Sequence, residues 1–193
     1  ARTLLRQFEG VRSEVEALGN SVRGKLDFGL PTSLFDLVTV PLVSRFRREH
    51  PAVHLGVTEG VSSTIYKMVV AGDLDVGIVS STESMSGLEQ VALVTESLYL
   101  AYPPSLPVQP DAEGCVTLAQ VAGYPLGLTQ WPNAMRVLID RAAKAERLQL
   151  DSLFDSNSSR LMVKAVVNGL GATINTYSAF CEPHRAGTLA VAR

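Results

Sequence analysis

Residues 24–79, GKLDFGLPTSLFDLVTVPLVSRFRREHPAVHLGVTEGVSSTIYKMVVAGDLDVGIV, switch back and forth between two hydrophobic periods, and that switching decides the fold. In KLDFGL (25–30), Leu26, Phe28 and Leu30 alternate with polar or small residues, the period of a half-buried strand. From Ser33 to His50 the apolar positions become Leu34, Leu37, Val38, Leu42 and Phe46, a helical spacing that ends at Pro51 after a basic last turn, with Pro41 as a point for a kink. VHLGVTE (53–59) then reads as a strand, SSTIYKMVVAGD (62–73) as a helix with Gly72 as its C-cap, and LDVGIVS (74–80) as a strand. The stretch is a βαβαβ unit.

The same grammar returns further along. After the extended run VALVTESLYLAYPP (91–104) and a loop carrying Pro103, Pro104, Pro107 and Pro110, the chain reads strand YPLGLTQ (124–130), helix 133–148, strand LQLDSLFD (148–155), helix 158–169 and strand LGATINT (170–176). Strands alternating with helices imply mostly parallel sheets, because each helix returns the chain for another strand in the same direction. The last apolar run, TLAVAR (188–193), is expected to lead into a further element. Before the first strand, Leu4, Phe8, Val11, Val15, Leu18 and Val22 follow at alternating steps of four and three, a heptad stripe with charged residues on the other faces. This helix stands outside the α/β pattern, which favours pairing with another chain over packing on its own body; Gly10 and Gly19 weaken it.

The 193 residues are 46% hydrophobic, enough for a core, and carry 17 Lys+Arg against 19 Asp+Glu, a net charge of -2 with no basic block for nucleic acid. Cys115 and Cys181 are far apart in sequence, so neither a disulfide framework nor a zinc site is signalled, and a reducing cytoplasm is the simplest compartment. No run of apolar residues approaches a membrane span or a signal peptide.

Ligands of open parallel sheets bind beyond the carboxyl ends of the strands, where the next helix begins. Here those junctions are Pro31-Thr32-Ser33, Gly60-Val61-Ser62-Ser63, Thr129-Gln130-Trp131-Pro132-Asn133 and Ser156-Asn157-Ser158-Ser159, all uncharged and rich in hydroxyls and amides. Such groups can cap a helix and also bond a ligand, and a helix start favours a carboxylate or phosphate. A hydrolase or transferase should bring His, Asp, Glu, Cys or Lys to a junction, and none is obvious; the sequence also lacks a nucleophile elbow, a zinc-protease motif and a phosphate-binding loop. His50 and His54 flank the helix end at Pro51, so they cannot share a helical face as metal ligands. Gly169-Leu170-Gly171 follows a helix and precedes a strand, the reverse of a dinucleotide loop, and reads as a helix stop. Asp73 and Asp75 at a helix end are explained by capping and solvation.

Gly24, Leu26, Phe46, His50, Pro51, Glu59, Gly60, Gly72, Leu74 and Asp75 fall in a pattern that resembles the opening of the effector domain of LysR-type transcriptional regulators, and VVNGLGATINTYSAF (166–180) is similar to that family's second characteristic run. The resemblance implies a bacterial, cytoplasmic regulator without enzyme activity, metal or cofactor. Its fold would be α/β of the type 2 periplasmic-binding-protein kind, with two Rossmann-like lobes joined by two crossing strands and a small-molecule effector in the cleft. It further implies a linker and dimerisation helix at 1–23, a first lobe from 24–98 and 188–193, and a second from 99–187. A winged helix-turn-helix binding DNA would precede Ala1, a closing strand and helix would follow Arg193, and the chain would form a homodimer or tetramer through the linker helix and the effector domains. By position, Thr32, Ser33, Thr129, Asn157 and Ser158 would contact the effector, joined by Pro31, Ser62 and Gln130 from the same junctions and by Trp131 as a wall. Asn175 and Thr176 depart from the family, which more often has an aliphatic residue or proline there, and would add hydrogen bonds to a compact polar or acidic ligand. A solute-binding protein of a transporter, or a small enzyme with a charged cleft residue, would share the fold.

Overall fold

The computed structural model describes residues 22–80 and 86–193, apart from the side chains of Phe35 and Asp36. Of the heptad segment only its end falls in this range, with Val22 exposed; the rest lies outside the described residues. The chain divides into two units, each with its own sheet.

In the first unit, β1 (Gly24–Pro31) lies between β2 (Val53–Gly60) and β3 (Val76–Gly77), all parallel, with Gly24 opposite Val53 and Phe28 opposite Val76. The apolar positions of KLDFGL become its core: Phe28 and Leu30 are buried on one face of β1, while Ile65 and Leu74 are buried over Gly29 on the other. Ile65 belongs to α2 (Ser62–Ala71), which the Gly72 C-cap ends at a φ of 72°. That helix sits close on the sheet because Gly77 has no side chain: a Cβ there would stand 2.6 Å from the Ile65 methyl. The preceding helix starts as a tight turn, Thr32–Leu34, widens over Phe35–Thr39 and becomes regular only in α1 (Val40–Glu49). Pro41 therefore falls where the widened turn gives way to the regular helix, an irregularity that suits a residue with no N–H to donate.

The second unit carries five strands in the order β6-β5-β7-β4-β8: β4 is Leu98–Tyr102, β5 Leu126–Thr129, β6 Ser152–Ser156, β7 Ala172–Thr176 and β8 Ala190–Ala192. Strands β6, β5 and β7 are parallel, as the alternating pattern implies, while β4 runs antiparallel to both β7 and β8. After β4 come the proline loop and the short α3 (Leu118–Val121) before β5, so no single crossover helix sets its direction.

Two expectations are corrected here. Residues 188–193 do not join the first unit: Ala192 pairs with Leu100 and Ala190 with Tyr102, and Arg193 exchanges backbone hydrogen bonds with Gly114 and Val116. Thr32–Asp36 and the stretch from Glu89 also group with the second unit. Of the extended run 91–104 only Leu98–Tyr102 is a strand; Val91, Leu93 and Val94 are exposed.

The strand β5 feeds β6 through α4 (Ala134–Ala145), and β6 crosses back over β5 to β7 through α5 (Ser159–Val167). Right-handed crossovers in opposite directions put these two helices on opposite faces. The cores agree. Leu126, Leu128, Leu100, Tyr102, Ala172 and Ile174 pack with Ile139 of α4 on one face, and Ala101 packs with Val166 of α5, Phe180 and Leu189 on the other.

Candidate functional site

The switch in winding direction falls between β5 and β7. The chain leaves β5 toward β6 and leaves β7 toward β8, and beyond the carboxyl ends of two strands so wound is where open α/β sheets take a ligand. Gly127 pairs with Thr173, the last pair between β5 and β7, and Thr129 and Asn175 each follow two residues further along, on the same face. Asn175 in turn lies opposite Tyr99 of β4. Thr129, Asn175 and Tyr99 thus form one row across three strands, on the face that α5 covers.

Thr129 is only 6% exposed and Asn175 only 3%. The Asn175 Oδ1 accepts the Thr176 backbone N–H at 2.9 Å, which leaves Nδ2 as a donor. Among the described residues neither Asn175 Nδ2 nor the Thr129 hydroxyl has a hydrogen-bond partner. Among the described residues the one side-chain polar atom both sealed from solvent and unpaired is Thr39 Oγ1, so the Thr129 hydroxyl and Asn175 Nδ2 still reach solvent and stay open to a ligand's acceptors.

The loops around this row are stitched together. The Gln130 N–H donates to the Ser156 carbonyl at 3.2 Å, and Asn157 Nδ2 donates to Gln130 Oε1 at 2.9 Å. Ser158 caps α5 by accepting the Leu161 N–H at 3.2 Å, and Asn133 caps α4 by accepting the Met135 N–H at 2.9 Å. Trp131 is 68% exposed and packs into no core. Thr176 is half-buried, its hydroxyl 2.8 Å from that of Ser178.

Of the residues singled out by sequence, Thr129, Gln130, Trp131, Asn157, Ser158, Asn175 and Thr176 therefore lie at one edge of one sheet. Thr32 and Ser33 group with the same unit, immediately after the buried Pro31 of β1. Ser62 belongs to the first unit, and its hydroxyl oxygen accepts the Ser80 N–H at 3.0 Å. It does not cap α2, whose N-cap is Val61.

Sequence reasoning missed two charged residues. Arg136, one turn into α4, donates through Nε to Asp140 at 2.9 Å and through Nη1 to Asp155 at 2.9 Å and to the Thr129 carbonyl at 3.2 Å. It thus ties the end of β5 to β6. Burial works against its charge, but the hydrogen bonds to Asp140 and Asp155 outweigh it and hold the guanidinium above its ordinary pKa. Arg136→Met should cost about 1.5 kcal/mol, the low end for hydrogen bonds to charged groups because both aspartates are partly exposed, as urea unfolding would measure. The second is Glu96, which receives the Ser178 hydroxyl at 3.2 Å and so brings a carboxylate to this edge. It precedes β4 rather than following a strand, and only the antiparallel β4–β7 pairing reveals its place.

The family model of the LysR substrate binding domain matches residues 19–193. The chain belongs to that family. The LysR domain is 29% identical over 180 residues to the nitrogen assimilation regulatory protein nac of Klebsiella aerogenes, covering 93% of this chain and 57% of that protein. It therefore spans little more than half the length of that relative. Among solved structures it superposes on the effector binding domain of QuiR in complex with shikimate with a TM-score of 0.75 at 19% identity, over 88% of this chain and 80% of that one. It superposes on full-length CbnR complexed with its target DNA with a TM-score of 0.71 at 21% identity, over 100% of this chain and 66% of that one. The fold is thus the type 2 periplasmic-binding-protein fold of LysR effector domains. Among the described residues no helix is long and apolar enough to cross a membrane.

Proposed function

We propose that this LysR domain is the sensing part of a bacterial transcription regulator, taking up a small polar or acidic metabolite and acting without catalysis in the cytoplasm. The observation that carries the reading is the pair of nearly buried side chains, Thr129 and Asn175, whose hydroxyl and Nδ2 have no hydrogen-bond partner among the described residues and still reach solvent at the end of the second sheet, on a fold shared with effector domains. The regulator would reach DNA through a winged helix-turn-helix N-terminal to this domain and assemble as a homodimer or tetramer through residues 1–23 and the effector domains. Pro31, Thr32, Ser33 and Ser62 would contribute to the ligand site along with Thr129, Gln130, Trp131, Asn157, Ser158, Asn175 and Thr176.

A thermal-shift screen of metabolites tests this, since a ligand at one hundred times its Kd adds about 2.7 kcal/mol of stability. For a compound so found, replacing Thr32 and Ser33 together by alanine should weaken binding at least tenfold in calorimetry and leave the melting temperature of the free protein unchanged. Equal affinity in that double mutant would remove these two residues from the site.

A further inference from the structure

We infer that a cavity within the second unit, lined by Tyr99, Tyr177, His184, Glu113 and Arg193, is a second ligand site that takes an aromatic amino acid, its ring against the tyrosines and its carboxylate and ammonium on Arg193 and Glu113. The cavity holds about 400 Å³, at the small end of the roughly 300–1,000 Å³ usual for ligand pockets, so it suits a compact molecule. Strands β4 and β8 supply one wall. Ala101 pairs with Val191, so Tyr99 and Arg193, each two residues further along these antiparallel strands, fall on the same face. Tyr177, in the turn after β7, packs edge-on against Tyr99 at 5.9 Å, against the fully buried Phe180 at 6.0 Å and against His184 of α6 (Cys181–Arg185) at 5.7 Å. Its hydroxyl lies 3.0 Å from His184 Nδ1, so the rings are set before any ligand arrives. Both tyrosines are half-buried, which leaves ring surface for a further edge-to-face or offset partner.

The charged residues add the second half of the specificity. Glu113 and Arg193 line this one small cavity, yet among the described residues neither the carboxylate nor the guanidinium has a partner. Backbone hydrogen bonds set where they stand. Asp111 Oδ1 accepts the Glu113 N–H at 2.9 Å and the Cys115 N–H at 2.8 Å, which fixes the turn carrying Glu113, and the Gly114 carbonyl accepts the Arg193 N–H at 2.9 Å. The Arg193 carbonyl in turn accepts the Val116 N–H at 2.7 Å, so its backbone is paired and its guanidinium is left for a ligand. An α-amino acid carries both of its charges on one carbon and can answer the two together; an acid without the amine meets Glu113 unpaired, and an amine without the acid meets Arg193 unpaired. No residue named for the strand-end site lines this cavity, and the two adjoin at Tyr99, which pairs with Asn175.

The test is calorimetry of the purified chain with L-phenylalanine, L-tyrosine and L-tryptophan, each beside its counterparts lacking the amine or the carboxylate, and with L-alanine as the ringless control. At least one aromatic amino acid should bind, at least tenfold more tightly than either counterpart and than L-alanine. Glu113→Gln, at an exposed position, should weaken the amino acid at least tenfold and change the amine-free counterpart by less than twofold, a split that misfolding would not produce. Arg193→Met, also exposed, should weaken the amino acid and the amine-free counterpart alike. Binding of none of the three amino acids, or an affinity within twofold in Glu113→Gln, overturns the inference. Should Thr129→Val abolish binding that Glu113→Gln leaves intact, the ligand sits at the strand ends: the cavity inference fails and the small-molecule reading stands.

Discussion

Phe180→Ala should cost the second unit about 3–5 kcal/mol, the range for removing a buried aromatic ring. Phe180 is fully buried, and its neighbours on that face of the sheet are Ala101, Val166 and Leu189, with Tyr177 edge-on at 6.0 Å. The opposite face shares its volume among several leucines, Ile139 and Ile174, but here the ring is the largest fully buried side chain, with Val166 and Leu189 and the partly buried Tyr99, Val163, Tyr177 and Val191 around it. Ala101 cannot extend into the space left behind, so the cavity would not collapse. Against the usual 5–15 kcal/mol of a domain, a loss of this size should lower the melting temperature by about 10 °C. Leu161→Ala provides the control: Leu161 is 49% exposed on α5, and its truncation should stay within about 0.5 kcal/mol. A Phe180→Ala loss below about 1 kcal/mol in urea unfolding would mean that Tyr177 or Leu189 moves in to replace the ring.

The parts of this fold legible in sequence are those whose signal is local. Leu26, Phe28 and Leu30 alternate, and β1 buries Phe28 and Leu30; Gly72 follows a helical run and stands at a φ of 72°; Gly169 does the same after α5 at 74°. Thr129 and Ser156 end strands just where the periodicity changes, so the polar edge of the second sheet could be anticipated. Pairing is another matter. TLAVAR reads as an apolar strand, but its partner β4 is far away in sequence, and an alternating apolar pattern satisfies either sheet equally well. The same limit hid Glu96 and Arg136, whose roles arise from contacts to Ser178 and Asp155 that no spacing announces. Ser62 shows a further limit: a hydroxyl at a helix start suggests a cap, but its oxygen accepts the Ser80 N–H instead, which leaves its hydrogen free to donate.

Gly171→Ala should cost about 3 kcal/mol and also disturb ligand binding, because Gly171 sets how closely β7 approaches β5. Its φ is 148°, a conformation that residues with a Cβ rarely adopt. A Cβ there would overlap the Pro125 carbonyl oxygen and lie 3.1 Å from its carbon. That same carbonyl accepts the Ala172 N–H at 2.8 Å, at the start of the β5–β7 pairing. Backbone cannot rotate aside as a side chain can, so room is made only by pushing β7 away from β5. The displacement would strain the next link, the Thr173 hydroxyl on the Gly127 carbonyl at 2.8 Å, and then the spacing of Asn175 from Thr129. Gly169 separates the two sources of cost. It also has a positive φ, 74°, but nothing lies within 4 Å of a Cβ built there, so Gly169→Ala bears only the conformational part, about 1–2 kcal/mol. Urea unfolding of the two variants should therefore differ by about 1–2 kcal/mol, the share due to the clash with Pro125. Ligand affinity should fall only in Gly171→Ala, because only there does the loss of stability come from moving the strand that carries Asn175. Equal losses in both variants, with affinity intact, would mean that β7 accommodates the methyl group without shifting its polar end.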